Sequence, residues 1–216
     1  MSKKRILMVR HGRTEWNEQA RFQGGTDVPL DDEGRAQAGL LAARLKGWNP
    51  GAVFSSPLMR AWETARSIAS EHENLQPVKL AGLSEMCFGV WEGRVIRDII
   101  AAEGDSFTRW RESPFEYPPR GGETYESVAA RVRPAMEAVM AADADRSVVV
   151  SHGGIIRAAL AIFLDIPPSV TWRMKITNCS VTAIDIDKRG VSLAFLNDDI
   201  HTALSAEEAR GLIFSV

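Results

Sequence analysis

Two histidines, two arginines and one glutamate in this chain form a set that could transfer an anionic group. They stand in four short stretches: Arg10-His11-Gly12, Ser55-Ser56-Pro57-Leu58-Met59-Arg60, Leu83-Ser84-Glu85 and Ser151-His152-Gly153-Gly154. Guanidinium groups stay charged and grip phosphoryl oxygens in pairs. A neutral imidazole attacks phosphorus, and two nearby guanidiniums disfavour its protonation. A carboxylic acid can protonate the departing oxygen. A metal between His11 and His152 would meet the charge of Arg10 and Arg60, which opposes a dication. No metal ion and no cofactor is therefore expected.

Each member has a plainer reading on its own: a structural histidine, a surface arginine, a solvated loop glutamate. The combination carries the argument. Arg60, read at a helix start, faces an unfavourable macrodipole, and a nearby anion would account for it. Competing signatures are missing from the sequence: there is no G-x-G, G-x-x-x-x-G-K-[ST], G-x-S-x-G or H-E-x-x-H.

For the four stretches to meet, the fold must bring strand ends together. Ile6-Leu7-Met8-Val9 is a continuous apolar run and reads as a strand buried on both faces. Ala52-Val53-Phe54, Val78-Lys79-Leu80 and Ser147 to Ser151 read as further strands. Helices are expected over 30–45, stopped at Gly47, over 58–70 with Glu63 and Arg66 paired, over 127–142 and over 153–164. Pro134 predicts a bend or a late start in the third of these. Val181 to Ile186 and Val191 to Leu196 read as a hairpin around Lys188-Arg189-Gly190.

This alternation predicts an α/β fold. It is a three-layer sandwich whose mostly parallel sheet has an antiparallel edge strand, with helices on both faces. Ligands of such sheets bind beyond the carboxyl ends of the strands, where all four stretches fall. Gly82 to Thr124 breaks the rhythm, with Pro114, Pro118, Pro119, Gly121 and Gly122. It is read as a cap-like insertion, at about 90–124, over the C-terminal strand ends of a single domain spanning 1–216.

The 216 residues hold 26 basic and 28 acidic side chains, a net charge of −2. A pI of about 6.1 argues against general nucleic-acid binding. Cys87 and Cys179 are expected as reduced thiols. The apolar run at Ile6–Val9 is too short for a secretory signal, and no stretch reaches the ~20 apolar residues of a membrane span. A cytoplasmic protein without nucleic-acid or membrane partners is expected; a monomer and a homodimer are both left open.

The stretch Leu7-Met8-Val9-Arg10-His11-Gly12-Arg13-Thr14-Glu15-Trp16-Asn17 resembles the signature of the histidine phosphatase superfamily, the phosphoglycerate mutase-like proteins. Arg21-Phe22-Gln23-Gly24, Ser55 to Ala65, Leu83-Ser84-Glu85 with Gly89, Trp91, Glu92 and Gly93, and Val149 to Gly154 resemble its later motifs in the same order. The resemblance implies that His11 is the nucleophile and becomes a phosphohistidine. It implies that Arg10, Arg60 and His152 hold the phosphoryl group with help from Asn17, and that Glu85 is the acid. Gln23 and Gly24 would line the entrance, and Gly153 would bring backbone and a helix N-terminus close. The substrate would be a small phosphorylated metabolite.

Three functions fit this set: a phosphatase, a cofactor-dependent phosphoglycerate mutase, and a silent binding module for phosphorylated ligands. The last makes little use of a complete chemical set. A mutase needs a second anion clamp. Here no lysine lies between Lys79 and Lys175, no two of Arg94, Arg97, Arg109, Arg111 and Arg120 are adjacent, and Gly154 stands where mutases usually carry Asn. Together with Phe88-Gly89-Val90-Trp91-Glu92-Gly93, this resembles the phosphatase branch. Arg109, Arg111, Trp110, Phe115 and Tyr117 are expected to read the leaving group. His72 is expected in solvent, and His201 in the structure or at the edge of the site.

Overall fold

The computed structural model describes residues 3–114 and 116–212. Phe115, expected against the substrate, lies outside them. The described strands form one sheet in the order β3-β2-β4-β1-β5-β6. They are β1 (Lys4–Arg10), β2 (Ala52–Ser55), β3 (Val78–Lys79), β4 (Arg146–Ser151), β5 (Val181–Asp187) and β6 (Gly190–Asp198). The strands from β1 to β4 run parallel; β5 runs against β1 and pairs antiparallel with β6, so the hairpin makes the antiparallel edge.

The helices are α1 (Glu15–Glu18), α2 (Asp32–Leu45), α3 (Met59–Ala69), α4 (Ile96–Glu112), α5 (Tyr125–Ala141), α6 (Gly153–Leu164), α7 (Pro168–Thr171) and α8 (Ala206–Gly211). Alternate side chains of β1 face opposite ways. Ile6 and Met8 join a core with Val132 and Met136 of α5 and Ile155 of α6. Leu7 and Val9 join a second core with Leu41 of α2 and Ala65 of α3. Two cores on one sheet give the three layers.

Register makes the site. Arg10 lies beside Ser151 across β1 and β4, and Ser55 beside Val150 across β2 and β4. The carboxyl ends of these strands are therefore flush. The chain leaving β3 is held there too, because Leu80 N–H donates to the Ser55 carbonyl at 2.9 Å.

Local differences from the sequence reading have physical causes. Gly47 does not stop the second-layer helix: a 3-10 turn carries on through Trp48, which is buried, and Asn49 ends it at φ 53°. Glu63 meets Arg35 of the neighbouring α2 at 3.5 Å, and no ion pair joins it to Arg66 among the described residues. The helix α5 begins directly after Thr124, whose side chain accepts from Ser127 N–H as the cap, and runs through Pro134. Ala130, whose carbonyl loses its donor to Pro134, is exposed, so water can replace that bond.

The largest difference is α4, inside the stretch read only as an insertion. Ile99, Phe107 and Trp110 bury its inner face, but a break at Glu103 (φ −140°, ψ 38°) resets the phase. That break hides the helical period. The Glu103 carboxylate takes the Trp91 indole N–H at 3.1 Å and pairs with Arg94.

Candidate active site

Five side chains from the four stretches converge beyond the sheet. The His11 and His152 rings lie 5.1 Å apart, centroid to centroid, and both are buried. Arg60 is 0% exposed. Its two terminal nitrogens donate to the carbonyls of Thr26 and Gly24, each at 2.8 Å. Arg10 donates to the Ile176 carbonyl at 2.7 Å. No carboxylate within salt-bridge distance neutralises either arginine among the described residues. Arg10 Nε, Arg60 Nε and His152 Nδ1 are buried without partners among them. Unpaired buried donors of this kind are costly, and an anion would satisfy them.

Burial pushes the Arg60 guanidinium down to about 10, against the pull of Glu85 and Asp27, and lowers Arg10 as well. Each still carries its charge at neutral pH. Burial also drives the His11 ring well below the ordinary imidazole range; the Arg60 and Arg10 charges push the same way. His11 Nδ1 lies 2.7 Å from the Gly12 carbonyl, which accepts only. The proton therefore sits on Nδ1 and the lone pair on Nε2. Burial and the Arg60 charge hold His152 neutral in the same way. Its Nε2 lies 2.8 Å from Ser56 Oγ. A hydroxyl donating there leaves the N–H on the unpartnered Nδ1.

Two neutral buried rings set an acid sensitivity. The unfolded chain protonates both near pH 6.5, and the folded chain does not. The unfolded state then holds more protons, so stability falls as pH drops below that point. The expected slope is about 1.4 kcal/mol per pH unit for each ring. Urea unfolding between neutral and mildly acid pH measures it. In a His11→Gln variant the slope should be shallower by that amount.

Glu85 completes the set from the β3 side. One carboxylate oxygen takes Met86 N–H at 2.9 Å and the other Gly154 N–H at 3.3 Å. A Cβ on Gly154 would sit 2.6 Å from Glu85 Oε1, so this glycine makes room for the carboxylate. The other expected residues are nearby in supporting roles. Asn17 Oδ1 accepts from Thr14 and from Asn178, which leaves its amide N–H groups as what it can offer a ligand. Gln23 is buried and accepts from Thr14 Oγ1 at 3.1 Å, while Gly24 holds Arg60 through its carbonyl. Gly153 opens α6 directly after His152.

Arg157 escaped the sequence reading. It lies one turn into α6, rests on the Trp172 ring and donates to the Met174 carbonyl. Its Nη1 would be 3.1 Å from a Cβ on Gly153. Burial lowers it to about 10, and the neighbouring Arg10 adds to that. Its spacing of four from Gly153 was the available signal. Asn178, which donates to the His11 carbonyl at 3.0 Å, had none.

Trp110 packs edge-on to Phe22 (5.1 Å) and Trp172 (5.7 Å) in an aromatic core instead of lining a pocket. Arg109, Arg111 and Tyr117 are exposed. No described hydrogen bond or ion pair links either arginine's side chain to the site. His72 is half-buried and its Nε2 is covered, so burial lowers its pKa. His201 is buried beside Arg44, 3.0 Å from Nη1, and burial with that charge takes it to about 4. Among the described residues no group of three His, Cys, Asp or Glu side chains is placed to hold a metal, and no helix is long and apolar enough to cross a membrane.

Residues 6–199 match the model of the histidine phosphatase superfamily (branch 1). Phosphoserine phosphatase 1 of Hydrogenobacter thermophilus is 33% identical over 97% of this chain and 99% of its own length. A probable phosphoglycerate mutase of Yersinia enterocolitica is 31% identical over 83% of this chain and 84% of its own. The solved structure of a mycobacterial glucosyl-3-phosphoglycerate phosphatase in complex with VO3 superposes with a TM-score of 0.83 at 31% identity. It covers 90% of this chain and 99% of that one.

Proposed function

The chain belongs to the histidine phosphatase superfamily and is a phosphoric monoester hydrolase; from that premise we propose that it hydrolyses a small phosphorylated metabolite through a phosphohistidine at His11, without a metal ion. The observation that carries this reading is a neutral, buried imidazole under the charges of the buried Arg60 and the half-buried Arg10, which no carboxylate pairs among the described residues, with Glu85 across the cradle.

The His11 Nε2 lone pair forms a bond to phosphorus as the bond to the ester oxygen breaks. A proton from Glu85 goes to that oxygen, and the alcohol leaves. Arg10, Arg60 and His152 Nδ1–H hold the equatorial oxygens, where charge stabilisation does most of the catalytic work. Water then attacks phosphorus, the Glu85 carboxylate takes its proton, and the N–P electron pair returns to His11. Inorganic phosphate is released. The absence of a lysine between Lys79 and Lys175 supports the hydrolase over the mutase, which must hold two phosphoryl groups at once.

Steady-state assays on a panel of phosphomonoesters test this, with phosphate release and interconversion of 2- and 3-phosphoglycerate followed together. Phosphate release should persist undiminished in excess EDTA and be blocked by vanadate. Loss of activity in chelator that magnesium or zinc restores would overturn the metal-free reading. Fast isomerisation primed by bisphosphoglycerate, with slow phosphate release, would establish a mutase.

A further inference from the structure

The geometry points to Arg131, on α5, as the positioning residue for the Glu85 carboxyl, anchored by Glu123. This rests on the reading of Glu85 as the acid. All five N–H donors of the Arg131 guanidinium are engaged. Nη1 donates to the Gly82 carbonyl at 3.0 Å and the Ser84 carbonyl at 2.6 Å. Nη2 donates to the Glu85 carbonyl at 3.2 Å and to Glu123 at 2.8 Å, and Nε donates to Glu123 at 2.9 Å.

The choice of carbonyls matters. The Ser84 and Glu85 carbonyls belong to the two peptide planes that flank the Glu85 Cα. Holding both planes from one rigid, planar group fixes the backbone angles of Glu85 and so the direction in which its side chain leaves. Glu123 closes the loop on its far side by accepting Cys87 N–H at 2.9 Å. Residues 82–87 are thereby strapped to α5. Gly82 lets them sit close: a Cβ there would be 2.3 Å from the Arg131 carbonyl. Burial pulls the Glu123 carboxyl up, but the Arg131 and Cys87 bonds outweigh it and hold it below the ordinary carboxylate range. It therefore stays an anion and a firm anchor at neutral pH. Lysine has neither the planar fork nor enough donors to take over.

Glu85 acts on the leaving oxygen, so a misdirected carboxyl should slow esters with poor leaving groups and spare those with good ones. The test measures kcat and KM for glycerol phosphate, an alkyl ester, and for nitrophenyl phosphate, an aryl ester, in four proteins: wild type, Arg131→Lys, Glu85→Gln and the double variant. Arg131→Lys should lower kcat for the alkyl ester about 10–100-fold, the scale of an ~1 Å misplacement, with KM little changed and the aryl ester nearly untouched. In the Glu85→Gln background the same substitution should add almost nothing for the alkyl ester, because the two act as one unit. Equal losses on both esters, or full multiplication in the Glu85→Gln background, would make Arg131 a structural residue only and overturn the proposal. If Glu85→Gln itself harms both esters equally, the acid is misassigned and the inference falls with it. Glu123→Gln keeps the shape and removes the charge. Should Arg131→Lys fail to fold, Glu123→Gln must show the same alkyl-selective loss, and an unselective loss or none overturns the proposal.

Discussion

His11→Ala is expected to lower kcat/KM by about 10⁴-fold or more, the scale on which removal of an enzymic nucleophile acts. The expectation comes from uniqueness as well as geometry. Among the ring nitrogens of the cradle, His11 Nε2 is the one left with a lone pair once Nδ1 is committed to the Gly12 carbonyl. His152 has one nitrogen on Ser56 and, with the N–H on the other, no lone pair facing phosphorus. Cys179 does not substitute: it is fully buried, and burial drives its thiol far above the range in which a thiolate forms. The alanine variant should still bind inorganic phosphate, because Arg10, Arg60 and His152 remain. Calorimetric titration of phosphate therefore separates lost chemistry from a lost site. Activity within about tenfold of wild type would show that another group attacks.

Arg60→Ala is expected to cost about 10³–10⁵ in kcat/KM, the range seen when an arginine that stabilises a transferring phosphoryl group is removed. The loss should be of similar size for alkyl and aryl esters, since Arg60 serves the group common to both. That separates it from Glu85, whose loss should depend on the leaving group. Arg60 is wholly buried and its terminal nitrogens hold two carbonyls of the 24–26 turn. Thermal unfolding must accompany the kinetics, and Arg60→Lys is the companion variant. Lysine keeps the charge but not the two-pronged grip, so it should recover only a small part of the activity. Full recovery would mean that charge alone matters there. A loss that differs strongly between esters would move Arg60 from the phosphoryl group to the leaving group.

Much of this site was legible in the sequence because it is built at strand ends. A short apolar run ending in a charged pair is a local signal, and parallel strands with flush ends bring such signals together without further information. Arg10, His11, Arg60, Glu85 and His152 were all accessible in this way. What escaped is non-local. Arg131 lies in the middle of a helix, and nothing in its neighbours along the chain says that its guanidinium reaches the backbone around Glu85, 46 residues away. Arg157 looked like any polar interruption of an apolar helix until the Trp172 ring and the Met174 carbonyl came beneath it. The helix α4 was hidden by the break at Glu103, which shifts its buried positions out of a single period. Trp110 shows the reverse error: an aromatic among prolines and arginines suggested a ligand contact, yet its neighbours are Phe22, Trp91, Phe107 and Trp172. Large rings bury more surface against one another than a small ligand could cover, and packing wins.

The most direct measurement is capture of the intermediate. Enzyme turning over a substrate labelled in its phosphoryl group is quenched in alkali, where a phosphoramidate survives, and the labelled peptide is mapped by mass spectrometry. The expected result is one acid-labile phosphoryl group per chain on His11, formed within the first turnover and missing from His11→Ala. Label found on a serine, a carboxylate or His152, or rapid turnover with no trapped phosphoryl group and phosphorus inverted in a single displacement, would contradict it.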